Sequence, residues 1–349
     1  MCLSLKDNLE KLSNACGVTG RESEVRELMI RLMTPYADEI IVDKLENVIA
    51  VKKGKENSSK IMLAAHMDEV GLMVKTITKD GFLQFAKMGG IDDRILPAQM
   101  VKVFSKKKVF PGIIGSKPPH IQKEEERKKI ITSDELFIDV GAQNRENALA
   151  MGVAIGDSVG FDIEYTALEN DAAIGKAFDN RAGCAVMVET LKLLEKTDFT
   201  VYAAGTVQEE VGLRGAGTAA FAVDPDVAIA LDVTIAGDVP GVREYDTTLK
   251  MGKGPAITIT DSGLITHPKV LRWLHETAEQ ETIPYQIETG LMGSTDAARI
   301  SLTRCGIPSG NISVPTRYIH SPVSMVSLKD VENAARLTAA AINKAGSYF

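Results

Sequence analysis

The sequence predicts an α/β protein: a three-layer main domain built on a mixed sheet, interrupted by a smaller inserted β domain of barrel-like character. Three observations predict it. Short apolar runs at 60–65, 201–207 and 227–231 alternate with helix-patterned stretches, as buried strands and their crossover helices do. Each run ends in groups that can do chemistry: His66, the pair Glu209 and Glu210, and Asp232. Ligands of doubly wound sheets collect beyond the carboxyl ends of the strands. Between about 71 and 165 the pattern changes to short β segments punctuated by glycine and proline, with little helical periodicity.

In order, residues 5–15 and 22–32 read as amphipathic helices separated by the turn 17–20, with Thr19 as a cap. Strands are expected at 39–42, 48–52 and 60–65, the last delivering His66, Met67, Asp68 and Glu69. The inserted domain takes 71–165, with strands near 81–85, 100–104, 109–114, 136–140 and 158–163; the charged run 123–129 reads as a solvated loop. The main domain, the one that carries these strand ends, is then 1–70 plus 166–349. Its second part opens with 175–183, which puts Asp179 at the start of a helix running through 184–196. Strand 201–207, helix 215–221 and strand 227–231 follow. Helix 267–281, strand 285–288, the turn 293–296 into a helix from Ala297, strand 310–314 leading to His320, and helix 329–345 complete the chain.

Composition narrows the function. The 349 residues carry 40 basic and 47 acidic side chains, net −7, with no basic block beyond 106–108 and the mixed run 123–129. Nucleic acid is therefore not an expected partner. Cys2, Cys16, Cys184 and Cys305 are scattered, which suits core or free thiols in a reducing compartment, the cytoplasm. Lys6, Asp7, Glu10 and Lys11 interrupt the N-terminal apolar positions, and no run of 18 apolar residues occurs, so neither leader nor membrane span is expected.

Adjacent residues on an extended chain point to opposite sides, so one of Glu209 and Glu210 could bind a metal while the other faces the water to be activated. In isolation such a pair more often makes a solvated turn; the other strand ends decide. Together they offer His66, Asp179, Glu210, Asp232 and His320, with Glu209 and Asp68 beside them. These hard and borderline ligands, without a thiolate, suit Zn²⁺, Co²⁺ or Mn²⁺. Two histidines and three carboxylates can serve two cations if one carboxylate bridges, and a bridging hydroxide would bring the site to neutrality. Asp68, two residues after His66, is placed to hold the second ring nitrogen. His120 reads as a loop residue, His267 as a helix opener and His275 as a packing residue. The turn 293–296 is either a cap supplied by Thr295 or Asp296 or part of a substrate pocket. The glycine-rich 212–217 lacks the Gly-Lys-Ser/Thr of a phosphate loop and reads as a tight turn.

Five ordered motifs now stand out: Ala65-His-Met-Asp-Glu-Val-Gly71, Ala177-Phe-Asp-Asn-Arg181, Thr206-Val-Gln-Glu-Glu-Val-Gly-Leu-Arg-Gly215, Ala230-Leu-Asp-Val-Thr234 and Arg317-Tyr-Ile-His-Ser321. On these the chain resembles the dinuclear metalloaminopeptidases of the tetrahedral TET type, which include glutamyl and deblocking aminopeptidases. The resemblance covers essentially the whole chain. It implies His66 and Asp232 on one metal, Glu210 and His320 on the other, Asp179 bridging, Glu209 as general base and Asp68 as the orienting acid. It also implies two divalent ions per subunit, Zn²⁺ or Co²⁺, short peptide substrates with a free N-terminus, dimerisation through the inserted domain and a dodecamer of dimers. A neutral N-terminal side chain is a more natural expectation than an acidic one. Three rivals remain. An aminoacylase or carboxypeptidase-like hydrolase would keep the metals and change the substrate. An endoglucanase-type glycosidase would use Glu209 and Glu210, although glycosidase carboxylates stand about 5–9.5 Å apart across the bond and the chain has one Trp and 5% aromatics. A peptide-binding module with structural metals would call for closed, often cysteine-rich sites.

Overall fold

In the computed structural model, residues 4–290 and 293–349 are described; Cys2 lies outside them. The chain opens with α1 (Leu5–Asn14) and α2 (Ser23–Met33). Ser4 starts α1 with a capping box, its hydroxyl accepting from the Asp7 N–H while the Asp7 carboxylate accepts from the Ser4 N–H. Strands β1 (Glu39–Val42), β2 (Val48–Lys52) and β3 (Lys60–His66) follow, and β3 ends on His66 itself.

The inserted region comprises β4 (Gly71–Ile77), β5 (Leu83–Met88), β6 (Met100–Phe104), β7 (Val109–Gly115), α3 (Glu124–Arg127), β8 (Phe137–Asp139), α4 (Arg145–Met151) and β9 (Ser158–Phe161). Its six strands close into a barrel in the order β4-β5-β8-β7-β6-β9 around a core that includes Leu72, Val74, Phe85, Val103, Ile138 and Val159. The expected solvated loop at 123–129 instead contains α3, an exposed single turn in which Glu124 and Lys128 pair at i,i+4. The expectation of almost no helix in this region also misses α4, which Asn144 caps by accepting from the Asn147 N–H.

The chain returns through β10 (Thr166–Ala167), β11 (Ala172–Gly175), α5 (Phe178–Leu193), β12 (Thr200–Thr206), α6 (Arg214–Val223), β13 (Val227–Ile235), β14 (Ala256–Thr260), α7 (Pro268–Gln280), β15 (Gln286–Thr289), α8 (Asp296–Ser301), β16 (Ser309–Arg317), β17 (Ser324–Ser327) and α9 (Leu328–Lys344). The strands outside the barrel form one sheet of order β1-β2-β12-β3-β13-β16-β17-β11-β10, with β14 joined to β16 and β15 to β14. The central β12, β3, β13 and β16 run parallel. Helices cover both faces: α5, α7 and α9 pack over one with Leu63, Leu231 and Val314, and α6 and α8 over the other with Ala64, Ala204 and Ala228. Burial on both faces explains why these strands read as unbroken apolar runs. The register brings their ends together, since Thr206 lies opposite His66, and Ala230 opposite Ala64 puts Asp232 level with His66.

Candidate active site

The two metal-ligand types meet at the carboxyl edge of the sheet. His66 is 2% exposed, its Nε2 3.1 Å from Asp179 Oδ1, 3.7 Å from Asp232 Oδ1 and 3.9 Å from Glu209 Oε2. His320 follows β16 in a left-handed turn, its Nε2 3.4 Å from Asp179 Oδ2 and 3.8 Å from Glu210 Oε2. Asp179 thus gives one oxygen to each imidazole. Two groups of potential ligands result, His66, Glu209 and Asp232 in one and Asp179, Glu210 and His320 in the other. Every residue singled out in the sequence for this cluster lies in or against it.

Each histidine has its other nitrogen committed. His66 Nδ1 is 3.1 Å from the Asp68 carbonyl oxygen, and His320 Nδ1 is 2.8 Å from that of Gly90, in the barrel loop after β5. A carbonyl only accepts, so Nδ1 carries a hydrogen, and in the neutral imidazole Nε2 presents a lone pair. Neutral rings would then set acceptor against acceptor at the carboxylate oxygens, a conflict that a proton or a cation at Nε2 relieves, and Glu210 Oε1 is buried without any partner. This donor set fits divalent cations.

The electrostatics agree. Burial pushes the carboxyl groups of Glu209 and Asp232 well above their ordinary values, with neighbouring carboxylates adding to the effect, and burial with the Asp179 charge raises Glu210 to about 7. His66 is raised despite its burial, because Glu209, Asp179, Asp68 and Asp232 favour a positive charge at that spot. Burial works against the Asp179 charge, yet the hydrogen bond and charge of His66 hold this carboxyl low.

Two sequence expectations are revised. Glu209 and Glu210 do not alternate on an extended strand: β12 stops at Thr206, Gln208 turns the chain at φ 56°, and both carboxylates face the cluster. Asp68 holds His66 Nδ1 through its backbone carbonyl, while its carboxylate Oδ1 stands 3.4 Å away and accepts from the Glu209 N–H at 2.9 Å; Oδ2 accepts from the Glu210 N–H at 3.1 Å and the Thr19 hydroxyl at 2.9 Å. In the turn 293–296, Thr295 makes no side-chain cap, and Asp296 is buried with Oδ2 accepting from the Thr206 hydroxyl and Oδ1 unpartnered. The remaining histidines stay apart: His120 is exposed in the barrel region, His267 accepts from the Lys269 N–H, and exposed His275 meets the Tyr285 hydroxyl at 2.7 Å.

Sequence reasoning passed over Glu22, Lys176 and Arg181. Buried Lys176 binds Glu69 Oε1 at 2.8 Å and Oε2 at 2.9 Å, and Arg181 reaches Glu69 Oε1 at 3.1 Å and the carbonyls of Met67 and Ala15 at 2.8 and 3.0 Å. The only signal for Lys176 and Arg181 was their place beside and inside the second motif, and for Glu22 there was none.

A mixed α/β sheet carrying a closed six-stranded barrel is the fold of the TET aminopeptidases. The sequence model for the M42 glutamyl aminopeptidases matches residues 46–337, and the chain belongs to this family of peptide-hydrolysing enzymes. It is 36% identical to the lysyl aminopeptidase of Pyrococcus furiosus, the match covering 96% of each chain. A solved TET aminopeptidase from a marine sediment archaeon of the Thaumarchaeota is 43% identical, with a TM-score of 0.95 and coverage of 97% of this chain and 96% of that one. The TET1 peptidase of Pyrococcus horikoshii, whose structure is described as assembling into a tetrahedron or a large octahedral shell, is 34% identical at a TM-score of 0.87, covering 97% and 99%.

Proposed function

We propose that this aminopeptidase is metal-dependent and removes N-terminal residues from short peptides at the edge where β3, β12, β13 and β16 end. One observation carries the reading: both histidines direct Nε2 at carboxylate oxygens, and Asp179 divides its two oxygens between them. His66 and Asp232 would hold one divalent cation, Glu210 and His320 a second, with Asp179 common to both. Such cations supply Lewis acidity, which acidifies water and polarises a peptide carbonyl. Glu209 is the general base. Its raised carboxyl, near the first group yet carried on the same turn as Glu210, takes the proton of the attacking water and delivers it to the departing amine. Asp68 fixes the tautomer of His66 and holds the turn that carries the base.

Residues 71–165 act as an inserted unit that mediates dimerisation. Met100, Val109 and Ile113, on the paired strands β6 and β7, are 48%, 47% and 43% exposed, an apolar surface of the kind a partner covers. Dimers of this kind then build a closed dodecamer, in keeping with the assembling relative. The thiols Cys16, Cys184 and Cys305 are free, which suits a cytoplasmic enzyme working on Zn²⁺ or Co²⁺.

The test is Glu209→Gln. Turnover of aminoacyl-chromophore substrates falls at least about a hundredfold, the scale of losing a general base, while bound metal measured by plasma mass spectrometry is unchanged. A variant with wild-type turnover removes Glu209 from this role. A wild-type enzyme that cleaves N-acylated but not aminoacyl substrates assigns the site to an aminoacylase instead.

A further inference from the structure

The turn that carries Glu209 and Glu210 is held from outside its own strand. Three consecutive backbone N–H groups donate to carboxylates: Gln208 to Glu22 Oε1 at 3.2 Å, Glu209 to Asp68 Oδ1 at 2.9 Å and Glu210 to Asp68 Oδ2 at 3.1 Å. Asp68 belongs to the neighbouring strand end. Glu22 comes from the opposite end of the sequence, at the start of α2. The same Oε1 accepts from the Gly20 N–H at 2.8 Å, and Thr19, in that same turn, donates its hydroxyl to Asp68. One N-terminal turn therefore reaches both of the carboxylates that grip residues 208–210.

Glu22 is an unusual residue to bury. It is 5% exposed, and among the described residues no cation pairs with it. Burial pushes its carboxyl up, and the Asp68 charge adds to this. A buried acid without a cation is a cost to folding unless its oxygens are needed as acceptors. Here Oε1 is so used, accepting from both Gly20 and Gln208: Gln208 is in the left-handed region at φ 56°, uncommon for a residue with a side chain, and the bond to Glu22 restrains its N–H in that conformation. Glu22 makes no hydrogen bond to a side chain of the cluster, so any influence on catalysis passes through the turn.

We propose that Glu22 is a positioning residue for the aminopeptidase reaction: through the Gln208 N–H it fixes the turn whose next residue, Glu209, presents its carboxylate 3.9 Å from His66 Nε2. The inference rests on the reading of Glu209 as the base. A displacement of about 1 Å at a reacting group can cost on the order of a hundredfold in rate, so a loosened turn lowers kcat and leaves substrate binding little changed.

The experiment compares metal-loaded wild type, Glu22→Ala, Glu22→Gln, Glu209→Gln and the double variant Glu22→Ala/Glu209→Gln. Glu22→Ala is expected to lose at least about tenfold in kcat with KM within about twofold, and amide hydrogen exchange in residues 207–211 speeds up in both the loaded and the chelated protein. Glu22→Gln keeps a carbonyl acceptor and restores both readouts to within about twofold of wild type. In the Glu209→Gln background, Glu22→Ala costs nothing further. Glu22→Asp, one methylene shorter, gives the same comparison if the alanine variant does not fold. Unchanged kcat and exchange in Glu22→Ala, an equal loss in the alanine and glutamine variants, or a fully additive loss in the double variant overturns the proposal. Full activity in Glu209→Gln refutes the base assignment alone, and the exchange rates of residues 207–211 still decide whether Glu22 holds the turn.

Discussion

Lys176, Arg181 and Glu69 form a buried group of two cations and one acid directly behind the cluster, with the spare donors of the cations taken up by backbone carbonyls of residues 12, 15 and 67. Removing the acid leaves two charges in a dry interior. Glu69→Ala is accordingly expected to lose about 3–5 kcal/mol of stability, the scale of breaking a buried pair from one side, read as a lower urea midpoint at unchanged slope. At this scale the sequence was most legible where chemistry coincides with a strand end. His66, Asp232 and the glutamate pair announced themselves by terminating apolar runs, and Asp179 and His320 by their place in motifs. Glu22 did not, because an acid at a helix start reads as a response to the helix dipole, and nothing local distinguishes one that instead accepts from a distant turn; Asp296 was left between a helix cap and a substrate pocket for the same reason.

At the level of elements, α5 is the piece whose placement the cluster cannot do without. Its first residues are not helical: Ala177 is left-handed, Asp179 and Asn180 depart from helical φ/ψ, and the Asn180 amide donates to the Leu231 carbonyl of β13 at 2.8 Å. Gly183 permits this approach, since a Cβ there would stand 2.3 Å from both the Leu231 oxygen and Asn180 Oδ1. Gly183→Ala therefore pushes the start of α5 off β13 and moves Asp179 with it. The expected outcome is a loss of about 1–3 kcal/mol in chemical denaturation, the cost of overpacking, together with weaker metal retention on dialysis. Element by element, the long parallel strands and their helices were read within a few residues, because burial on both faces gives continuous apolar runs. The short strands β10, β11, β14 and β17 were missed; two to five residues at or near a sheet edge carry too little periodicity to separate from loop. In the barrel, the first strand β4 was hidden because it follows closely on β3, with only four residues between His66 and Gly71.

Taken whole, the molecule gathers one cluster from residues 66 to 320 by closing a sheet that the barrel interrupts. Nothing but tertiary structure holds these like charges together, so ions that neutralise them should stabilise the folded state by mass action. Chelation is expected to lower Tm, and titrating Zn²⁺, Co²⁺ or Mn²⁺ back to raise it progressively with concentration in differential scanning fluorimetry; a Tm indifferent to both treatments would argue against any ion being held here. A β-rich, barrel-like insert was legible from the change in pattern near residue 71, but the pairing that closes it was not, since β4 meets β9 across most of the insert. Nor could the sequence reveal that the insert touches the chemistry. The carbonyl that orients His320 belongs to Gly90, and the cleft beside Glu210 and His320 is partly walled by Phe161 of β9. A torque applied to the outer wall of the barrel by a neighbouring subunit would thus be felt at an imidazole through one hydrogen bond. The position of the barrel and the orientation of the His320 ring are mechanically joined at that point.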